Sequence, residues 1–113
     1  MTRYLFLCAE GRMRSATAVT VARRLAALQG MRIVAENGGI LYLRKDSVPD
    51  LLERFDRFIV MEDYMVTKLV EFGVERGRIV CLNIPDRYGR DDDTLVSLLE
   101  KKLAVEFGGA VGS

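Results

Sequence analysis

The chain has 113 residues, half of them hydrophobic and 29% charged, which is the composition of one globular domain and not of a disordered segment. Its 17 basic and 16 acidic side chains leave a net charge of +1, so the strongly basic footprint of a nucleic-acid-binding protein is excluded. The sequence has no histidine, which excludes His-assisted nucleophiles and His-ligated zinc.

The predicted elements begin with a strand and a helix. Residues 4–8 are a continuous apolar run, typical of a strand that is buried on both faces. From Ser15 to Gly30, apolar residues recur every three to four positions, which predicts an amphipathic helix with Ser15 as its cap. Residues 31–35 predict a second strand, and we expect the Asn-Gly-Gly sequence at 37–39 to end it.

The rest of the chain continues this alternation. Short apolar runs predict two further strands, and proline, glycine and aspartate residues mark the ends of the helices between them. The predicted elements are a loop at 40–49, a short helix at 49–54, a strand at 58–61, a helix at 63–72, a strand at 78–82 and a last helix that begins at 91–94 and ends near 107.

Strands that alternate with helices predict a single α/β domain. Right-handed crossovers between them give a parallel sheet with helices on both faces. We expect this domain to occupy residues 1–107 and the small side chains at 108–113 to form a flexible tail. Ligands bind such sheets outside the carboxyl ends of the strands, and Cys8 lies at that end of the first predicted strand.

The expected location follows from the cysteines and the apolar runs. The two cysteines, Cys8 and Cys81, are too few for a disulfide scaffold. The apolar runs are too short to span a membrane, and the N-terminal residues lack the features of a signal peptide. We therefore expect a cytoplasmic protein without a membrane partner.

The segment between the first strand and the first helix carries the clearest chemical signal. Its five residues between a cysteine and an arginine allow the backbone to curl, so that successive N–H groups point at an anion, and the following helix adds its positive N-terminal end. Arg14 offers a planar guanidinium that can bind two phosphate oxygens. The segment, which we call the phosphate loop, reads Cys8-Ala9-Glu10-Gly11-Arg12-Met13-Arg14-Ser15.

Cys8 is the predicted nucleophile of this loop. A helix N-terminus and a nearby cation lower the pKa of a thiol, and the Ser15 hydroxyl can donate to the sulfur. Such a site holds a reactive thiolate without a histidine base. The alternative is a buried structural cysteine beside a solvated Arg14.

Several segments resemble the low-molecular-weight protein tyrosine phosphatases, in particular a short bacterial branch of predicted tyrosine phosphatases. The similar residues are 5–8, 14–18, 23–25, 55–62 with Leu69, and 82–88, and the resemblance extends to about Leu103. It implies a three-layer sandwich around a four-stranded parallel sheet of order 2-1-3-4, and hydrolysis of phosphate monoesters through a phosphocysteine intermediate, with no metal or other cofactor.

The resemblance also implies roles for individual residues. Cys8 would be the nucleophile, Arg14 the phosphate-binding residue and Ser15 the hydrogen-bond partner of the thiolate, with Asp86 as the general acid. In a chain without histidine, an Asp or Glu on a loop at the carboxyl end of the sheet is the natural proton donor. The alternatives to Asp86 are Asp91, Asp92 and Asp93, which would also suit a helix cap.

The phosphate loop departs from the family pattern at several positions. Gly11 stands where the family has asparagine, and Met13 replaces a frequent second cysteine, so no disulfide can form within the loop. Glu10 is the least expected residue, because a carboxylate beside a phosphate site opposes the anion. Arg12 is available to offset its charge.

Two tyrosines outside the loop complete the expected site, and the second cysteine does not belong to it. Tyr42 and Tyr88 are predicted to wall the pocket and to stack on an aromatic substrate; the alternative for Tyr42 is an ordinary surface aromatic. Cys81 is predicted to be a small core residue, because strands two places apart are separated by about 9–10 Å, which is too far for a disulfide with Cys8.

These observations favour a cysteine-dependent phosphatase. Its expected partner is a phosphorylated protein, of the phosphotyrosine type, or a small phosphomonoester, and not a nucleic acid. One alternative is a carrier that holds a phosphoryl group on the cysteine and passes it to a sugar. Another is a phosphate-binding pseudo-enzyme, in which Glu10 or the missing asparagine suppresses turnover.

Overall fold

The computed structural model describes residues 1–107, so the predicted tail at 108–113 lies outside the described residues. The chain forms a four-stranded sheet with four α-helices over that range. The strands are β1 (Thr2–Cys8), β2 (Ile33–Gly39), β3 (Arg57–Val60) and β4 (Ile79–Cys81), and the helices are α1 (Arg14–Leu28), α2 (Val48–Arg54), α3 (Asp63–Glu71) and α4 (Asp93–Phe107).

All strand pairs are parallel, and their order is β2-β1-β3-β4. The chain moves in one direction across the sheet from β1 to β2 and in the other from β3 to β4. Right-handed crossovers therefore place α1 and α3 on opposite faces, where α1 packs against α4 and α3 packs on β3 and β4. The predicted three-layer α/β sandwich with a sheet of order 2-1-3-4 is confirmed.

The core lies along the two central strands. Phe6 on β1 and Phe58 and Ile59 on β3 have no exposed surface, because helices cover both faces of a parallel sheet. This explains why both strands appear in the sequence as unbroken apolar runs. No helix within residues 1–107 combines the length and the apolar character needed to cross a bilayer.

The end of β2 differs from the prediction. The strand continues through the Asn-Gly-Gly sequence at 37–39, where Gly38 pairs with Leu7 and Gly39 pairs with Cys8. The prediction that these residues end the strand was wrong, because parallel pairing with β1 outweighs the low strand propensity of glycine. The strand order reverses between β1 and β3, so their carboxyl ends are where a ligand is expected.

Candidate active site

A cavity of about 320 Å³ opens at the carboxyl ends of the strands. Cys8 lies deep in it with 3% of its surface exposed, whereas 61% of the Asp86 side chain is exposed at the rim. The lining residues are Cys8, Ala9, Glu10, Arg12, Met13, Arg14, Leu41 and Asp86.

Glycine residues allow the phosphate loop to lie directly on the end of β2. Gly11 has φ +77°, and a Cβ atom there would lie 2.7 Å from the carbonyl carbon of Gly38. A Cβ atom on Gly39 would lie 2.6 Å from the carbonyl carbon of Glu10. Glycine adopts the left-handed conformation readily and has no Cβ, so Gly11 allows a contact with Gly38 that an asparagine at this position would obstruct.

Two hydrogen bonds from the segment around the end of β2 brace the phosphate loop. The Asn37 side chain donates to the Gly11 carbonyl oxygen at 2.7 Å, and the Leu41 amide donates to the Ala9 carbonyl oxygen at 3.1 Å. Both bonds occupy carbonyl oxygens on the outer side of the curl. The amides of the loop remain available for its inner side.

Those inner donors converge on the Cys8 sulfur. Burial alone would raise the pKa of the thiol, but the Ser15 hydroxyl and the backbone amides of Ser15, Gly11 and Met13 stabilise the thiolate and lower the pKa below its ordinary value. The hydroxyl lies 3.1 Å from the sulfur. The cup of inward-facing amides expected from the sequence is thus present around the sulfur.

The predicted helix cap is replaced by this contact. Ser15 is the second residue of α1, and the helix begins after Met13 without a side-chain cap. The prediction that Ser15 caps α1 was wrong, because its hydroxyl bonds to the Cys8 sulfur instead. The first turn of α1 contains no acidic residue, so its positive end is not neutralised and faces the loop.

The Arg14 guanidinium is hydrogen-bonded through one nitrogen, and a second nitrogen has no hydrogen-bond partner among the described residues. Its Nη1 donates to the Glu62 carboxylate at 2.8 Å and to the Ile84 carbonyl oxygen at 2.6 Å. Its buried Nη2 has no hydrogen-bond partner within residues 1–107, and its Nε is 3.8 Å from the Asp86 carboxylate. The Nε and Nη2 hydrogens point in parallel, which is the arrangement that binds two oxygens of one phosphate.

Sequence reasoning missed Glu62 as part of this site. Its carboxylate orients Arg14, whose side chain is only 1% exposed. The available signal was its position: Glu62 follows β3 by two residues, at the same edge of the sheet as Cys8.

Asp86 is the acidic residue after β4 that the structure brings to the cavity. Its carboxylate lines the rim near Arg14. Two of the three alternatives have structural partners: Asp91 bonds to Thr17 on α1, and the Asp92 carboxylate accepts the amides of Thr94 and Leu95. The third, Asp93, is the first residue of α4.

Comparison with known proteins adds a fold assignment to this geometry. No protein-family model and no curated protein sequence matches the chain. The low-molecular-weight phosphotyrosine phosphatase of Vibrio cholerae O395 superposes with a TM-score of 0.71 at 14% identity, over 98% of this chain and 99% of that chain. The chain has the fold of the low-molecular-weight protein tyrosine phosphatases.

Two further solved structures share this fold. The tyrosine phosphatase Wzb of Escherichia coli K30, solved in complex with phosphate, gives a TM-score of 0.69 at 18% identity, over 97% of this chain and 98% of that chain. The arginine phosphatase YwlE, as a cysteine-to-serine mutant with a phosphorylated active-site serine, gives 0.69 at 15% identity, over 97% and 98%.

The two tyrosines that were predicted to wall the cavity do not line it. Tyr42 is 66% exposed and lines a separate surface pocket, while its neighbour Leu41 lines the cavity. Tyr88 is partly buried against the core, beneath the Arg87 guanidinium. The structure therefore places neither predicted tyrosine on the cavity wall and leaves aliphatic groups there, among them Met13.

The second cysteine lies apart from the cavity. Cys81 ends β4, two strands away from Cys8, and both thiols are free. It packs partly buried against the core, close to Asp63 and Asn83, and burial raises the pKa of its thiol. Within residues 1–107, no cluster of three or more Cys, Asp or Glu side chains is arranged to hold a metal ion.

Proposed function

We propose that this chain is a cysteine-dependent phosphatase that hydrolyses phosphate monoesters through a phosphocysteine intermediate. The observation that carries the proposal is the position of one thiol. The Cys8 sulfur, whose pKa is lowered, lies beneath a cavity that is also lined by the Arg14 guanidinium and the Asp86 carboxylate. Metal-free phosphoryl transfer requires a nucleophile, cationic donors for the oxygens and an acid for the leaving group.

The phosphoryl group would bind in the phosphate loop. Backbone amides of the loop would donate to two or more of its oxygens, together with the Nε and Nη2 of Arg14. Glu62 and the Ile84 carbonyl hold the opposite side of the guanidinium, so the arginine is oriented before substrate arrives. Such preorganised donors stabilise the charge on the transferring group.

In the first step, the Cys8 thiolate attacks phosphorus in line with the leaving group. The sulfur–phosphorus bond forms as the bond from phosphorus to the ester oxygen breaks. Asp86, in its protonated form, gives its proton to the departing oxygen, so an alcohol or a phenol leaves. The product on the protein is phosphocysteine.

In the second step, Asp86 acts as a base. Its carboxylate takes a proton from water while the water oxygen attacks phosphorus. The phosphorus–sulfur bond breaks, inorganic phosphate leaves, and both the Cys8 thiolate and the protonated Asp86 are restored. No metal or other cofactor takes part.

Phosphotyrosine in proteins is the proposed substrate class, and small phosphomonoesters are the second choice. The fold neighbours that support this choice are named as tyrosine phosphatases, although one neighbour is named as an arginine phosphatase. Because the reaction requires a reduced thiol, we place the protein in the cytoplasm.

Hydrolysis of an aryl phosphate tests this proposal. The wild-type protein should turn over, and Cys8→Ser should abolish turnover, whereas Cys81→Ser makes the same chemical change outside the cavity and should retain it. Asp86→Asn should lower the rate for poor leaving groups by about 10²–10⁴-fold. Rapid quenching of the wild type with radiolabelled substrate should trap a phosphoprotein labelled on Cys8.

Equal turnover by the wild type and Cys8→Ser would contradict the proposal. Transfer of the trapped phosphoryl group to a sugar but not to water would identify a carrier instead. Binding of phosphate or vanadate without turnover would identify a pseudo-enzyme.

A further inference from the structure

The loop that carries Asp86 is hydrogen-bonded at both ends to the first turn of α1. We define the acid loop as residues 84–91. At its start, the Ile84 carbonyl oxygen accepts from Arg14 at 2.6 Å. At its end, the Thr17 hydroxyl accepts from the Asp91 amide at 3.0 Å and donates to the Asp91 carboxylate at 3.3 Å.

The Thr17 hydroxyl departs from the usual behaviour of threonine in a helix. A helical threonine commonly donates to a carbonyl one turn earlier, as Thr20 does to the Ala16 carbonyl oxygen at 3.5 Å. Thr17 is 1% exposed and makes its side-chain bonds to the acid loop. The hydroxyl thus replaces a local helix contact with one that spans 74 positions in the sequence.

The backbone at both borders of the acid loop is unusual as well. Asn83 has φ 55° and Asp91 has φ 61°, and they are the non-glycine residues with positive φ within residues 1–107. Residues in this region persist where their surroundings determine the conformation. At Asp91 the surroundings are the paired bonds to Thr17, and Asp tolerates this region better than most residues.

Asp86 lies between these borders with little to hold its own side chain. Its carboxylate is largely exposed, and its approach to the Arg14 Nε, at 3.8 Å, is too long for a hydrogen bond. The position of the carboxylate therefore depends on the backbone that carries it. That backbone is held by the contacts at Ile84 and Asp91 and by the packing of Tyr88 against the core.

We propose that Thr17 is a positioning residue for proton transfer: its two bonds to Asp91 hold the acid loop so that Asp86 reaches the leaving group. This inference rests on the proposed function, because it assigns Asp86 the role of general acid. Thr17 does not itself contact the substrate. Its effect should depend on how much a substrate needs a proton on its leaving group.

A comparison of leaving groups in the Thr17→Val variant tests this inference. Valine keeps the shape of threonine and removes the hydroxyl. We expect kcat/KM to fall about tenfold for the phosphate of a weakly acidic phenol, as small misplacements of catalytic groups cost 10–100-fold, and to change less than about twofold for a strongly acidic phenol, which leaves without help.

Matched variants show whether the hydroxyl is responsible. Thr17→Ser keeps the hydroxyl and should restore the wild-type dependence on the leaving group. Thr20→Val removes a hydroxyl from the next turn of the same helix and should have no effect. Asp91→Gly removes the carboxylate that Thr17 binds, at an exposed position whose positive φ glycine adopts readily. It should also lower kcat/KM for the phosphate of the weakly acidic phenol, so a test remains if Thr17→Val folds poorly.

Hydrogen exchange of the acid loop supplies a readout that needs no activity. Loss of the Thr17 hydroxyl frees the Asp91 amide, so exchange in residues 86–91 should become faster in Thr17→Val and stay slow in Thr20→Val. An inactive wild type would refute the proposed function, whatever the exchange shows. An active wild type whose leaving-group dependence is unchanged by Thr17→Val, or is changed equally by Thr20→Val, would overturn the positioning role alone.

Discussion

The two ends of the sheet use arginine in opposite ways. At the amino end, Arg78 donates to the backbone carbonyls of Leu52 and Phe55, and Arg3 binds the Asp56 carboxylate through both its backbone and its side chain. At the carboxyl end, the buried Arg14 keeps one nitrogen without a partner among residues 1–107.

Backbone conformation also differs between the two ends, because among residues 1–107 positive φ at the amino end is confined to two glycines in open surroundings, Gly30 and Gly73. The left-handed residues Asn83 and Asp91 follow β4 at the carboxyl end, where Gly11 is also left-handed and in close contact with Gly38. Unsatisfied polar groups and strained backbone have a free-energy cost, and they gather at sites that bind or react. The amino end therefore contributes to the stability of the fold, and the carboxyl end carries the features on which the proposed phosphate site depends.

The largest expected effect comes from exchanging arginine for lysine at each end. Arg14→Lys keeps the charge but loses the parallel donors, so the turnover of an aryl phosphate should fall by about 10²–10³-fold, the cost of losing a preorganised donor. Arg78→Lys is the matched change at the amino end. It should leave kcat/KM unchanged and lower the thermal midpoint of unfolding.

Steady-state kinetics and calorimetry on both variants separate the two roles. The contrast between the ends would be refuted if Arg78→Lys lost as much activity as Arg14→Lys at a temperature where both remain folded. It would also be refuted if Arg14→Lys retained full activity.

Much of the carboxyl end can be predicted from the sequence because its signals are local. Residues 4–8 form a buried strand because a central parallel strand must be apolar on both faces. Cys8, Arg14 and Ser15 come from one segment, so a short curl brings them together without any long-range information. The local sequence therefore predicts this grouping, and distant residues such as Glu62 complete its geometry.

The parts that sequence reasoning missed depend on distant contacts. Glu62 lies 48 positions from Arg14, and only the strand order brings the two together. Leu41 lines the cavity while Tyr42 lines a separate pocket, because both belong to a 3-10 turn, Ile40–Tyr42, in which successive side chains point in different directions. A pattern of residue types cannot show which of two neighbours faces a site.

A smaller effect is expected from removing the hydroxyl beside the nucleophile. The Ser15 hydroxyl lowers the pKa of the Cys8 thiol, so Ser15→Ala should raise that pKa and move the onset of alkylation by iodoacetamide to higher pH. Cys81 is an internal reference, because burial raises the pKa of its thiol. In the wild type, Cys8 should become reactive at a lower pH than Cys81.

Peptide mass spectrometry after brief alkylation across a range of pH measures both thiols in one sample. Ser97→Ala, an exposed serine on α4, is the control and should leave both profiles unchanged. An unchanged Cys8 profile in Ser15→Ala would show that the amides of the phosphate loop alone hold the thiolate.

The smallest expected effect lies at the amino end, at Asp56. Hydrogen bonds from Arg3 lower the pKa of this carboxyl to about 2, against about 3.9 in an unfolded chain. The ionised form therefore stabilises the fold above about pH 4, and this contribution is lost as the pH falls towards 2. Both side chains are 39% exposed, so solvent screens the pair and the effect is small.

Thermal unfolding of the wild type and Asp56→Asn between pH 2 and pH 7 should show this dependence. The thermal midpoints should differ by a few degrees at neutral pH and approach each other towards pH 2, where about half of the wild-type carboxyl is protonated in the folded state. Asp46→Asn, which breaks a more exposed pair with Arg44, should change neither end of the profile. A difference that is as large at pH 2 as at pH 7 would mean that Asp56 acts through packing and not through its charge, since acidification removes the ionised form.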